Sequence, residues 1–284
     1  MKVEKIMIIG AGQMGLGIAQ VCATSGYQVV LNDLNQEVLT VAKKIIAKNL
    51  LHLVAKGKLS EGEKEKILSR IETTQSLDNA RHVGMVIEVA TEQMSIKKDI
   101  FAQLDKIVSK NTILATNTSS LSITEIATST NNPENVIGMH FMNPVPRMKL
   151  VEIIRGLDTN DDTFKIVYDF VQSLAKTSLE VKDFPGFVLN RILLVMINEA
   201  IYTLYENIAD KESIDEMMKL GANHPLGPLE LADLIGLDTC LHILETLHFG
   251  FGDDKYRPCP LLRQYVAAKR LGRKTGSGFY TYQN

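Results

Sequence analysis

Residues 135–143 read Asn-Val-Ile-Gly-Met-His-Phe-Met-Asn, an apolar stretch carrying a histidine, His140, near its end. Pro144-Val145-Pro146 then turns the chain into Met148-Lys149-Leu150-Val151-Glu152-Ile153-Ile154, a second apolar stretch broken by one carboxylate. An ionised carboxylate among apolar side chains needs a partner, because desolvating it alone is expensive. A strand returning beside 135–140 would bring Glu152 to His140. Such a pair fixes the imidazole tautomer and raises its basicity, as a general acid–base requires. An isolated histidine is more simply a satisfied structural residue. The embedded glutamate and the position at the carboxyl end of a strand, where open α/β sheets bind ligands, favour catalysis.

Three further groups of polar residues follow strands in the same way. Asn117-Thr118-Ser119-Ser120 comes after Thr112-Ile113-Leu114-Ala115. Ser119 or Ser120 reads either as ligand-binding or as the N-cap of a short helix at 122–127. Thr91-Glu92-Gln93, then Lys97, follow the strand Met85–Val89. Glu92 is equally at home as a solvated helix start, which the helix dipole favours. Asn190 is a lone polar residue in the first turn after Pro185-Gly186, ahead of a very apolar helix. It reads as a cap, a core contact or a ligand contact.

The element that would position a cofactor against these residues lies at the N-terminus. The apolar run 5–9 leads straight into Gly10-Ala11-Gly12-Gln13-Met14-Gly15, and a helical pattern follows at once. The first glycine permits the tight turn, the second lets the backbone approach a pyrophosphate, and the third lets helix and strand pack closely. The helix N-terminus offers N–H groups and a positive dipole end to phosphates. The next apolar run ends in Asn32-Asp33, and Asp33 stands where a carboxylate would bond a ribose 2′-hydroxyl. No Arg or Lys follows it in Leu34-Asn35-Gln36-Glu37. A carboxylate repels a 2′-phosphate, so NAD is favoured over NADP. FAD is less favoured, because a second nucleotide motif does not appear. Tyr265-Val266-Ala267-Ala268-Lys269 matches the Tyr-x-x-x-Lys acid–base pair of short-chain dehydrogenases. It lies far from the nucleotide strands and carries no weight here.

The scaffold these groups require is an α/β fold: a doubly wound, mostly parallel Rossmann-type sheet with a helical hairpin insertion, followed by an all-α C-terminal domain. Strands are predicted at 5–9, 28–32, 70–73, 84–89, 112–115, 135–140, 148–154 and 178–181. Residues 36–68 are helical and long for one crossover. The basic break Ala55-Lys56-Gly57-Lys58 marks them as a projecting hairpin. Asp183-Phe184-Pro185-Gly186 ends the β/α alternation. The domains are therefore expected at 1–183, binding NAD, and 184–284, for substrate and dimerisation. The helix predicted over 187–205 is apolar nearly all round and must be buried in a core or a subunit interface.

Composition narrows the class. Lys+Arg 31 against Asp+Glu 33 leaves a net charge of -2, with no global basic footprint for nucleic acid. Apolar runs stay short of the ~20 residues needed to span a bilayer, so no membrane partner is expected. The chain enters a strand by residue 5, without a signal-type segment. Cys22, Cys240 and Cys259 are scattered and odd in number, reading as reduced thiols in a cytoplasm. They form no zinc pattern, and no metal site is expected.

Taken together, IIGAGQMGLGIAQ (8–20), ATNTSSLSI (115–123), GMHFMNPVPRMKLVEII (138–154), KDFPGFVLNRIL (182–193), HPLGPLELADLIGLD (224–238) and RKTGSGFYTY (273–282) resemble the L-3-hydroxyacyl-CoA dehydrogenase family over essentially the whole chain. The resemblance implies NAD-linked oxidation of the 3-hydroxyl of an acyl-CoA thioester, and the reverse reduction. It makes His140 the acid–base and Glu152 its partner. Ser119 and Asn190 would hold the reacting oxygen and position His140. Glu92, Lys97, Asn143 and Lys274 would contact the nicotinamide half of the cofactor or its ribose. Asn49 and Lys56 fall where the family contacts CoA, Asn49 being a departure from the smaller hydroxyl residue expected there. Two other readings stay open: a dehydrogenase of a free hydroxy acid or sugar acid on the same fold, and a non-catalytic nucleotide-binding structural protein. A homodimer or higher homo-oligomer is expected.

Overall fold

The computed structural model describes residues 3–282; residues 1–2 and 283–284, the outermost positions of the two expected domains, lie outside it. The chain forms two compact units, residues 1–183 and 184–284.

The first unit is built on one eight-stranded sheet. Its strands are β1 (Lys5–Ile9), β2 (Gln28–Asn32), β3 (Ile71–Thr74), β4 (Met85–Glu88), β5 (Ile113–Thr116), β6 (Val136–Phe141), β7 (Leu150–Arg155) and β8 (Thr177–Lys182). The order is β3-β2-β1-β4-β5-β6-β7-β8. The central strands are continuous apolar runs because helices cover both faces. β1, β4, β5 and β6 are buried along nearly their whole length. β1 and β2 match the sequence reading, and the ends of the other strands differ from it by one or two residues.

All neighbouring strands are parallel except β6 and β7. The cause is local. Only residues 142–149 join β6 to β7, too few for a parallel crossover, which takes a dozen or more.

The helices of this unit are α1 (Gln13–Thr24), α2 (Gln36–Ala55), α3 (Glu61–Leu68), α4 (Met94–Asp105), α5 (Ile123–Ala127) and α6 (Asp161–Ser173). α2 and α3 form the expected hairpin. It is less free-standing than the basic break implied. Leu39, Ala42, Ile46 and Leu50 bury one face of α2, which packs on α1. Val41 and Leu51 on its other side are 52% exposed. Ser60 and Glu63 form a reciprocal capping box that starts α3. α5 begins at a cap by Ser122, whose hydroxyl accepts from Glu125 N, and not at Ser119 or Ser120.

The second unit is helical: α7 (Leu189–Tyr205), α8 (Lys211–Gly221), α9 (Pro228–Ile235), α10 (Leu237–Phe251) and α11 (Pro260–Ala267). Its core gathers Leu194, Ile197, Ile201, Leu229, Leu244, Leu262 and Phe279. The all-round apolarity of α7 resolves into two faces. Leu194, Ile197, Asn198 and Ile201 are buried, whereas Ile192 is 66% exposed. The C-terminal segment is tied to α9 by Asp233, whose carboxylate accepts from Phe279 N, Tyr280 N and Tyr282 Oη. Burial raises the pKa of Asp233 despite these donors.

Candidate active site

The register of the sheet brings the carboxyl ends of five strands to one edge. Ile9 pairs with Asn32 on one side and Glu88 on the other; Glu88 pairs with Thr116, and Thr116 with Gly138. Strand order reverses between β1 and β4, which is where open α/β sheets open a ligand crevice. The glycine turn follows β1 and the Glu88–Glu92 segment follows β4, so both flank that point.

Gly10, Ala11 and Gly12 form the turn between β1 and α1. A Cβ on Gly15 would fall 1.8 Å from the carbonyl oxygen of Gly10, so any side chain there displaces the turn. A Cβ on Gly12, by contrast, would meet no protein atom within 4 Å. The space above Gly12, at the N-terminus of α1, is open to a ligand. Gln13 opens the helix and Met14 packs against the core. Asp33 reaches back to this turn: its Oδ2 accepts from Ala11 N at 2.9 Å and its Oδ1 from Asn35 N at 3.0 Å. The carboxylate is thus fixed beside the glycine turn with lone pairs to spare for a hydroxyl. This combination fits a dinucleotide with an unsubstituted ribose.

His140 and Glu152 are direct cross-strand partners in the β6–β7 pair. Partners directly opposite point to the same face of the sheet. Nδ1–H of His140 donates to Oε2 of Glu152 at 2.8 Å, and the residues are 5% and 3% exposed. With Nδ1 protonated toward the carboxylate, the neutral ring carries its basic lone pair on Nε2.

The turn with Ser119 is built by other residues. Asn117 Oδ1 accepts from Phe141 N at 2.9 Å, locking the end of β5 to the end of β6 beside His140. Glu92 is no solvated helix start. Its Oε1 accepts from Thr118 Oγ1, Ser119 N, Ser120 N and Ser120 Oγ at 2.5–3.2 Å. Lys97, 1% exposed, pairs with Glu88 at 2.9 and 3.0 Å and lies 3.5 Å from Glu92. Glu88 was missed in the sequence, where it merely closes an apolar strand.

Asn143 joins this edge through Gln13, whose Nε2 donates to Asn143 Oδ1 at 3.2 Å. Its turn is held from beneath by Lys176, whose Nζ donates to the carbonyls of Val145 and Met148 at 2.6 and 2.7 Å. Burial lowers the pKa of Lys176. No spacing in the sequence marks this lysine.

Asn49 faces α1, its Nδ2 donating to Gln20 Oε1 at 3.0 Å. Both residues line a cleft of about 1230 Å³ between α1, α2 and the 143–147 turn. Its walls are mainly apolar, and Lys48, His52 and Arg147 are its basic members. Lys56 is not among the lining residues; it caps the C-terminus of α2 at the exposed hairpin turn. Asn190 and Lys274 belong to the second unit. Asn190 is buried in the first turn of α7, and Lys274 Nζ donates to Asp238 Oδ2 at 2.7 Å. Among the described residues no group of His, Cys, Asp or Glu side chains is placed to hold a metal ion.

Comparison with known proteins shows the family. Residues 5–184 match the family described as 3-hydroxyacyl-CoA dehydrogenase, NAD binding domain, and residues 186–282 match its C-terminal domain. The chain belongs to the 3-hydroxyacyl-CoA dehydrogenase family, and its cofactor is NAD. It is 56% identical to a Bacillus subtilis protein named "Probable 3-hydroxybutyryl-CoA dehydrogenase", over 100% of this chain and 99% of that one. It is 53% identical to the 3-hydroxybutyryl-CoA dehydrogenase of Bradyrhizobium diazoefficiens, over 99% of this chain and 96% of the relative. The crystal structure of (S)-3-hydroxybutyryl-CoA dehydrogenase PaaH1 from Ralstonia eutropha matches with a TM-score of 0.97 and 49% identity, covering 100% of both chains.

Proposed function

We propose that this NAD-dependent dehydrogenase interconverts (S)-3-hydroxybutyryl-CoA and acetoacetyl-CoA, with His140 and Glu152 as its acid–base unit. The observation that carries the chemistry is the buried 2.8 Å bond between His140 Nδ1 and Glu152 Oε2. The residues that would hold NAD are the Gly10–Gly15 turn, Asp33, and the groups around Glu92, Ser119 and Asn143, with Lys274 as a further contact. When bound, NAD accepts a hydride from substrate C3, and NADH returns one.

In the oxidation His140 Nε2 takes the proton of the 3-hydroxyl. Glu152 stabilises the imidazolium so formed and keeps the ring in the tautomer that can act again. In the reduction the imidazolium gives that proton to the developing alkoxide. Ser119 and Asn190 hold the reacting oxygen, supplying donors where charge develops.

Coenzyme A as the handle is supported by the cleft beside the glycine turn, with apolar walls for a pantetheine-like arm and Lys48, Asn49, His52 and Arg147 for its polar end. Lys56, on the exposed turn, contributes less. A homodimer formed through the helical unit is supported by apolar side chains left exposed there, including Ile192, Ile208 and Leu220. A reducing, cytoplasmic setting is supported by three free, buried cysteines. No described helix is long and apolar enough to cross a membrane.

The test is a steady-state scan of NADH oxidation with 3-ketoacyl-CoAs of increasing chain length, and with free 3-keto acids. Acetoacetyl-CoA is expected to give the highest kcat/KM. Preference for a free acid would overturn the thioester reading. Light scattering at micromolar concentration checks the dimer, which a monomer would refute.

A further inference from the structure

At the switch point of the sheet lies a buried charge cluster whose innermost member, Glu88, the mechanism above does not use. We propose that Glu88 is a positioning residue for the reaction, acting through Lys97 and Glu92 on the turn that carries Ser119. The proposal rests on the reading that this turn borders the reacting centre.

Glu88 is fully buried at the end of β4. Its carboxylate accepts from Ala90 N at 2.6 Å, Thr116 Oγ1 at 2.7 Å and Lys97 Nζ at 2.9 and 3.0 Å. It therefore ties the end of β4 to the end of β5 and to α4. Lys97 has three hydrogens to give. Both Glu88 oxygens, the Ala90 carbonyl at 3.4 Å and Glu92 Oε2 at 3.5 Å surround its ammonium. The side chain is 1% exposed. Its ammonium is thus held between Glu88 and Glu92.

Glu92 is the outer member. Four donors from Thr118, Ser119 and Ser120 converge on its Oε1. That density of donors suits an ionised oxygen. The cluster thus holds two carboxylates and one ammonium, with the cation shared between them. Neutralising Glu88 hands the whole cation to Glu92 and draws Glu92 away from the turn. Ser119 then moves relative to the reacting oxygen. A small misplacement of an orienting group is felt in kcat far more than in substrate binding.

The experiment compares Glu88→Gln, the double variant Glu88→Gln/Lys97→Met, and Glu92→Gln, each by thermal melting and by acetoacetyl-CoA reduction. Glu88→Gln is expected to lower both the melting midpoint and kcat, kcat by about tenfold or more, with KM changing less than about threefold. The double variant removes both buried charges, so its melting midpoint should return toward the wild type. Its kcat should stay at least about tenfold down, because Glu92 has lost its cation. Recovery of kcat together with the midpoint would make the cluster purely structural and overturn the proposal. Should the first two variants fail to fold, Glu92→Gln decides. It keeps the Glu88–Lys97 pair and should keep the melting midpoint while losing kcat; wild-type kcat there overturns the proposal. A wild type inactive on acetoacetyl-CoA would instead sink the substrate reading. The cluster is then read by NADH fluorescence. Glu88→Gln should raise the NADH Kd, and an unchanged Kd would overturn the proposal.

Discussion

Glu152 and Glu88 sit in the same sheet and are equally hidden from water, 3% and 0% exposed, yet their partners differ in one respect. Glu152 faces an imidazole at 2.8 Å; Glu88 faces an ammonium at 2.9 Å. An imidazole has a second nitrogen that can take or give a proton, whereas an ammonium has only donors. The first pair can pass a proton and return to its starting state. The second is a standing dipole that fixes the ends of β4 and β5. The strand connections follow the same division. The His140–Glu152 pair is formed across two antiparallel strands by a short proline turn. The fixed pair joins a strand end to the helix that follows it.

Substitutions that exchange these properties test the contrast. His140→Ala should lose kcat by about 10²–10⁴-fold, the range of general acid–base catalysis, while NADH affinity by fluorescence stays within a few-fold. Lys97→Met should act first on the fold. Leaving Glu88 buried without its cation is expected to cost about 3–5 kcal/mol in urea unfolding. Glu152→Gln should cost only about 1 kcal/mol in the same measurement, since the amide oxygen still accepts from Nδ1–H. A larger loss for Glu152→Gln than for Lys97→Met would reverse the assigned roles. Asp33 is a third carboxylate on this edge, held by backbone amides and, among the described residues, by no cation. Asp33→Ala should raise the NADH Kd by about tenfold or more, the worth of a charged hydrogen bond, and narrow the gap to NADPH. The smallest effect is expected at the exposed cations. Lys48→Ala should raise KM for acetoacetyl-CoA by no more than about fivefold, as surface charges are worth roughly 0.2–1 kcal/mol, and leave a thioester lacking the nucleotide unaffected. Lys56→Ala should do less still.

The same contrast explains what could be read from the sequence. Glu152 was legible because it interrupts an apolar run, and the two prolines before it force a short return beside His140. The glycine turn and the approach of Asp33 to it were legible because both follow from local spacing. Glu88 was not, because a polar residue closing a strand is ordinary. Lys97 resembles any lysine on a helix surface until packing buries it. Glu92 carries the signature of a helix start, and only the fold brings Thr118–Ser120 onto its oxygen. The row of hydroxyls at 118–122 offered several caps, and the choice of Ser122 depends on where the helix starts. The basic hairpin turn drew attention to Lys56, whereas the basic members of the cleft, Lys48 and His52 on α2 and Arg147 in a loop, lie far apart in sequence.

The central claim is that His140 and Glu152 act as one unit, and a double-mutant cycle on kcat with acetoacetyl-CoA and NADH tests it most directly. His140→Ala, Glu152→Gln and the double variant are compared with the wild type. Residues acting as a unit lose most of their effect once either is gone. We expect the double variant to be little worse than His140→Ala alone. Strictly multiplicative losses would contradict the pairing, and near-normal turnover in His140→Ala would contradict the mechanism itself.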